Sequence, residues 1–308
     1  MDRRAIGAVL LLLTVFVAAV VPRIGGVEVT GTAVAVVIQS PPTVGDCVLT
    51  DPSASGASDV VPALVYGSCA TPHFGEIVQV YADSLDFPNT QPDEIRAPSA
   101  TYCDGAASSY LAVDQVLPRY DRGDYKSISF GPWQPASIGT VGLIGPSAEQ
   151  HAVGQDWIAC VTEGTTPTPA SGTVREAFSG GTLPDSYTLC SDQLVAGAAI
   201  DCRSKHKAEL FALTGLVETL PAQSALDVSC RGFVQYLTGR KDLASTAGLK
   251  VVATVVYHGV TGHPTPGQTD PIQTSPAEAF CGVTTVGSRV LSGSLFAIGD
   301  GRLPLSTS

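Results

Sequence analysis

The eight cysteines of this chain fall into two groups of four whose neighbours repeat, and a frame of that kind limits the architecture before composition is considered. Cys47, Cys69, Cys103 and Cys160 are echoed by Cys190, Cys202, Cys230 and Cys281. Cys69-Ala-Thr-Pro-His73-Phe-Gly-Glu76 matches Cys202-Arg-Ser-Lys-His206-Lys-Ala-Glu209. Ser171-Gly-Thr173, running on to Leu183-Pro184, matches Ser292-Gly-Ser294 running on to Leu303-Pro304. The chain reads as a duplicated disulfide module, one copy over residues 44–185 and the other over 186–308.

Persisting disulfides belong outside the cytoplasm, and the N-terminus supplies a route there. Ala5 to Val21 carries no charge and is just long enough for a membrane span. Arg3 and Arg4 precede it and only Arg23 follows closely, which puts the tail inside and the body outside. Residues 1–22 are read as a cytoplasmic tail with a transmembrane signal anchor, and 23–43 as a linker. The expected location is the plasma membrane, single-pass, with the body extracytoplasmic. Cleavage after Ala33-Val-Ala35 would release a secreted body instead. A net charge of −11 excludes a phosphate-tracking surface, and Lys205/Lys207 and Arg240/Lys241 read as solvated faces, so nucleic acid is not expected as a partner. With 32 Gly and 22 Pro the chain suits a loop-rich fold better than a helical bundle.

Val44 to Leu49 reads as a turn entering a strand, Asp51 to Asp59 as a polar loop, and Val60–Val65 and Glu76–Tyr81 as further strands. Around the third cysteine, Cys103, Ala106, Ala107 and Tyr110 share a helical face, as do Cys230, Phe233, Val234 and Leu237. A strand follows each helix, Tyr125–Phe130 in one half and Leu249–Tyr257 in the other. Ser147 with Gln150, and Ser275 with Glu278, have the spacing of capping boxes and predict two short helices. Strands carrying Cys160 and Cys281 come next, and residues 262–271 form an irregular excursion. The fold class is α+β: two tandem disulfide-stapled modules, each a small, mostly antiparallel sheet with one or two helices, after an N-terminal transmembrane helix. Two pairings stay open. One joins Cys47–Cys69, Cys103–Cys160, Cys190–Cys202 and Cys230–Cys281. The other joins Cys47–Cys160 with Cys69–Cys103, and its second-half equivalent.

Gly45-Asp46-Cys47, the segment Cys69 to Ile77, Cys103, and Pro146-Ser147-Ala-Glu-Gln150 through Gly154 to Trp157-Ile-Ala-Cys160 resemble the actinobacterial septum formation domain family. The likeness occurs twice and spans about residues 44–305. His151 stands where an aromatic is common, Lys205 replaces the proline before His206, and the closing run shrinks to Ala279-Phe280 before Cys281. The resemblance implies an envelope-facing, membrane-anchored protein connected with septation, and it carries no catalytic residues across.

The polar constellation present in both halves is His-x-x-Glu, giving His73, Glu76, His206 and Glu209 as candidate functional residues. On a helix such a pair shares a face, as acid–base or metal partners do. On a strand the two point apart, and this segment reads as entering a strand, where a His or Glu ties down the turn after a bridged cysteine. Zinc held by Cys69 and His73, or by Cys202 and His206, has too few ligands and needs free thiolates. No metal or cofactor is therefore assigned. Gly-x-Ser-x-Gly, His-Glu-x-x-His and phosphate-loop motifs do not occur, and no catalytic residue is assigned. His258 and His263 read as loop residues. Trp133 and Trp157 are expected to pack the core beside a disulfide, with a carbohydrate groove as the other reading. The expected function is a non-catalytic envelope module whose partner is a cell-envelope or division protein. The alternative is an envelope hydrolase or metal-dependent enzyme working through His73 and Glu76.

Overall fold

The computed structural model describes residues 37–51, 64–83, 99–113, 133–136, 139–195, 197–216, 222–257, 260–262 and 277–307. Gln39–Ser308 forms one compact unit. The first half contributes β1 (Cys47–Val48), β2 (Tyr66–Gly67), β3 (Gly75–Tyr81), α1 (Ser99–Tyr110), β4 (Gln134–Pro135), β5 (Thr140–Ile144), α2 (Ala148–Ala152) and β6 (Ile158–Glu163). The second contributes β7 (Leu189–Ser191), β8 (Ala208–Leu216), α3 (Gln223–Thr238), β9 (Leu249–Tyr257), β10 (Val260–Gly262), β11 (Ala277–Thr285), β12 (Arg289–Leu291) and β13 (Leu305–Thr307). The chain is α+β, and every strand pairing among the described residues is antiparallel.

The two main sheets repeat one another. The first runs β2-β1-β3-β6-β5; the second runs β10-β9-β11-β8, with β7 also on β8. In each, a helix links two strands separated by a third: β3-α1-β5 around β6, and β8-α3-β9 around β11. That is a split β-α-β arrangement. Even the irregularity is shared, because the ladder slips opposite Val78 in one half and opposite Phe211 in the other. Both bulged side chains are buried.

The helices bury the faces their spacing predicts. Cys103 and Ala107 are buried on α1, as are Cys230, Phe233, Val234 and Leu237 on α3. Gly105, Ser108 and Ser109 are poor helix formers, and α1 has no acidic residue in its first turn. Packing and a bridge to β6, rather than propensity, hold it. The four bridges join Cys47–Cys69, Cys103–Cys160, Cys190–Cys202 and Cys230–Cys281. Two close the opening hairpins and two fasten each helix to a strand.

One hydrophobic core runs through both halves, from Val78, Cys103 and Leu111 to Phe233, Leu237 and Leu295. The halves also interlock. Strand β4 of the first half pairs with β8 of the second, and the adjoining Trp133 donates Nε1–H to Ser229 Oγ at 2.9 Å. A smaller cluster gathers Val48, Tyr66, Ile77, Trp157, Ala159 and Val161. Trp133 and Trp157 are each 1% exposed, so neither lines a carbohydrate groove.

Several expectations are corrected or fall elsewhere. The Ser147 capping box forms: Gln150 N donates to Ser147 Oγ at 3.3 Å, and Ser147 N donates to Gln150 Oε1 at 2.8 Å. Its supposed second copy does not form, because Ala277 and Glu278 open β11. Glu278 pairs with Gly215 on one side and Val256 on the other, so its backbone is engaged in two ladders at once. Ser275 and Pro276 lie outside the described residues. So do Tyr125–Phe130, and the first-half strand corresponding to β9 is β5. The expected strand Val60–Val65 is described only from Leu64, with β2 beginning at Tyr66. Residues 5–21, His258, His263 and the rest of the 263–271 excursion are likewise outside the described residues. Among those described, no helix is long and apolar enough to cross a membrane.

Candidate functional site

His73 and His206 occupy equivalent places just before β3 and β8. Each makes a two-way backbone bridge to a distant segment: His73 with Ala170 at 3.1 and 2.7 Å, and His206 with Leu291 at 3.0 and 2.8 Å. Each imidazole also closes its own turn, Nδ1–H donating to Thr71 O in one half and Ser204 O in the other, both at 2.8 Å. Accepting carbonyls at Nδ1 leave Nε2 unprotonated in the neutral ring. Both rings are fully buried, and neither Nε2 has a hydrogen-bond partner. Burial holds the His206 pKa below its ordinary value, against the opposing pull of the Ser204 carbonyl.

The glutamates brace the loops that the repeated Ser-Gly-Thr/Ser motif had marked. Glu76 stands opposite Cys47 in the β1–β3 ladder, and Glu209 opposite Cys190 in the β7–β8 ladder. Glu76 accepts Thr173 Oγ1–H at 2.5 Å and Val174 N–H at 2.7 Å. Glu209 accepts Ser294 Oγ–H at 2.6 Å and Leu295 N–H at 2.8 Å. The loops then meet the helix ends alike. Glu176 N donates to Tyr110 O as Ala297 N donates to Leu237 O, each at 2.9 Å. Glu176 and Ala297 both adopt the left-handed conformation, with φ of 56° and 51°. No sequence signal marks that last pair, since neither residue is glycine.

That correspondence aligns Tyr110 with Leu237 and Arg175 with Phe296, and there the halves part. Tyr110 also donates its hydroxyl to Glu76, and the Arg175 guanidinium lies 4.8 Å from the Tyr110 ring centroid. Burial, and then the neighbouring carboxylate, raise the Tyr110 pKa. These groups floor a cleft of about 480 Å³ that also takes in Gly45, Ser68, Cys69 and Thr173. Gly45 has φ 96°, and a Cβ there would come within 2.8 Å of Arg175 Nη2, so glycine is what lets the arginine lie over this edge. The second half offers apolar groups instead. Leu237 and Phe296 line a cleft of about 370 Å³ together with Phe178, whose ring meets Phe296 edge-on at 5.2 Å. Glu209 is sealed, and burial pushes its pKa up to about 7 despite its hydrogen bonds.

In the second half the structure brings the candidate His and Glu together, against the strand expectation. Potential ligand atoms of Cys190, His206 and Glu209 all lie within 4.8 Å of one another, as do those of Cys47, Cys69 and His73. His206 sits ahead of β8, so strand alternation does not force it away from Glu209. Sulfur held in a disulfide offers no thiolate to a metal. With the bridges closed, the first set keeps only His73 and the second only His206 and Glu209. No family model, curated protein or solved structure matches this chain.

Proposed function

We propose that the protein is a non-catalytic, membrane-anchored, extracytoplasmic module of the bacterial cell envelope that acts by binding an envelope or cell-division protein. The observation that carries this reading is the use made of both His-x-x-Glu pairs. The histidines bridge backbone and close turns, and the glutamates hold loop amides and hydroxyls. Backbone groups and carboxylates committed in that way build a frame rather than wait for a substrate. Four bridges within one compact unit suit an oxidising compartment. The uncharged run Ala5 to Val21 supplies the anchor, and the likeness to septum formation domains supplies the class of partner.

Cell-surface cross-linking of the full chain, followed by identification of what it captures, tests the binding role. Reproducible enrichment of one envelope or division protein is the expected result, and repeated enrichment of none counts against it. Fractionation tests the anchor separately. The full chain is expected in the membrane fraction, with its body open to protease from outside; a shortened body in the medium would make it a secreted protein.

A further inference from the structure

Seven of the eight cysteines are fully buried, among them both members of Cys103–Cys160, Cys190–Cys202 and Cys230–Cys281. Cys69 is the exception: it is half-buried and lines the first-half cleft beside Gly45, Ser68 and Arg175. Its partner Cys47 lies wholly beneath the surface. Under this bridge sits His73, a ring nitrogen of which comes within 4.8 Å of both sulfurs. Its Nδ1–H is engaged by Thr71 O, while the buried Nε2 has a free lone pair. Thiol–disulfide exchange requires a sulfur that an incoming thiolate can reach and a leaving sulfur whose thiolate is stabilised. Cys69 meets the first condition at the cleft surface, and the His73 ring beneath the bridge meets the second once it has taken up a proton.

We propose that Cys47–Cys69 is a thiol–disulfide exchange site, attacked at Cys69 and served by His73. An incoming thiol, from a small molecule or a protein cysteine, enters the cleft and its sulfur bonds to Cys69 Sγ. The Cys47–Cys69 bond breaks and its electron pair passes to Cys47 Sγ. The thiol proton is taken up by the His73 imidazole. The products are a mixed disulfide at Cys69 and a Cys47 thiolate beside an imidazolium. One disulfide is consumed and one formed, so no further oxidant or reductant is required. The second half is an internal control. His206 has the same Nδ1 bond and the same unpartnered Nε2, and a ring nitrogen of it lies within 4.8 Å of Cys190 Sγ, but the Cys190–Cys202 bridge is sealed from attack. The proposal stands apart from the anchoring and partner reading, since it concerns only the folded body.

The test treats the oxidised full chain with glutathione, quenches with N-ethylmaleimide at timed intervals, and maps the peptides without reduction. Glutathione is expected on Cys69 and maleimide on Cys47, with this bridge opening at least about tenfold faster than any other. Prior opening of a different bridge, simultaneous opening of all four, or glutathione on Cys47 would overturn the assignment. His73→Gln is expected to slow the opening and to remove the part of its pH profile that the attacking thiol does not account for. His206→Gln is expected to leave the Cys47–Cys69 rate unchanged. An unaltered rate and profile in folded His73→Gln would remove the histidine from the step. The wild-type map decides the exchange site without any variant having to fold.

Discussion

Glu76 and Glu209 hold the same ladder position and brace the same loop, yet one shares its carboxylate with Tyr110 under Arg175 while the other has Leu237 and Phe296 at the matching positions. What stays fixed between the halves is the answer to a backbone problem. A loop amide at Val174 or Leu295 is buried and needs an acceptor. What drifts is the surrounding field. Where a hydroxyl and a guanidinium remain, the cleft stays polar and open. Where Leu237 and Phe296 replace them the surroundings are apolar, although the two carboxylates are equally buried. Both halves thus keep the brace, while Leu237 and Phe296 of the second join the hydrophobic core that the halves share.

If the halves are mechanically equivalent, their helix bridges should matter equally. Cys103–Cys160 spans 57 residues and Cys230–Cys281 spans 51. Replacing either pair by alanine is expected to cost about 4 kcal/mol through restored freedom of the unfolded chain. Denaturant unfolding of the two variants measures both losses. A difference of more than about 1 kcal/mol would show that one half carries the fold and the other rides on it.

Glu209 ionises near its ordinary 4.5 in the unfolded chain and at about 7 in the folded one. Between those values the native state keeps a proton that the unfolded state has lost. Stability attributable to this group is therefore complete below pH 4.5 and declines as pH rises toward 7, by roughly 3 kcal/mol. Asp185, raised by burial, acts in the same sense, whereas His206, lowered by burial, acts in the opposite one. The useful quantity is accordingly the difference between the wild type and Glu209→Gln, measured by unfolding across this range. The variant is expected to lose the decline. Parallel curves would mean that Glu209 is ionised in the folded state at neutral pH.

Much of this frame was legible because sulfur, histidine and glutamate recur at fixed offsets, and because helical spacing displays its buried face. The cysteine frame and the α1 and α3 stripes are of that kind. The partnership of Glu76 with Thr173 was not legible: both motifs were visible as repeats, but nothing along the chain says that residues so far apart touch. Strand β5 carries no clear signal of its own, since Gly139, Gly142 and Gly145 punctuate it and the ladder to β6 supplies the order. The Ser275–Glu278 spacing misled for the converse reason. A capping pattern is a local preference, and two flanking strands outweigh it. Exposure of Cys69 is a tertiary property, so the chain alone could not separate it from the other seven cysteines.

The finest difference between the halves lies at the ends of their helices. Residue 112 and residue 239 both turn left-handed after the last helical turn, with φ of 62° for Ala112 and 67° for Gly239. Holding an L-residue there costs about 1–2 kcal/mol. A Cβ built on Gly239 would meet Gly299 Cα at 3.5 Å, an ordinary contact, so only the backbone opposes it. Gly239→Ala is therefore expected to cost about 1 kcal/mol once the stiffer unfolded chain is credited. The reverse change is not its mirror image. Ala112 is fully buried, and losing its methyl forfeits roughly 0.8 kcal/mol of burial. Added freedom of glycine in the unfolded chain takes another 0.4–1 or so. Together these offset the strain that is relieved, and Ala112→Gly should shift stability by less than about 0.5 kcal/mol, read from the same denaturant midpoints. A clear gain would mean that the Ala112 methyl packs poorly, and that this copy of the helix has kept a strained end without compensation.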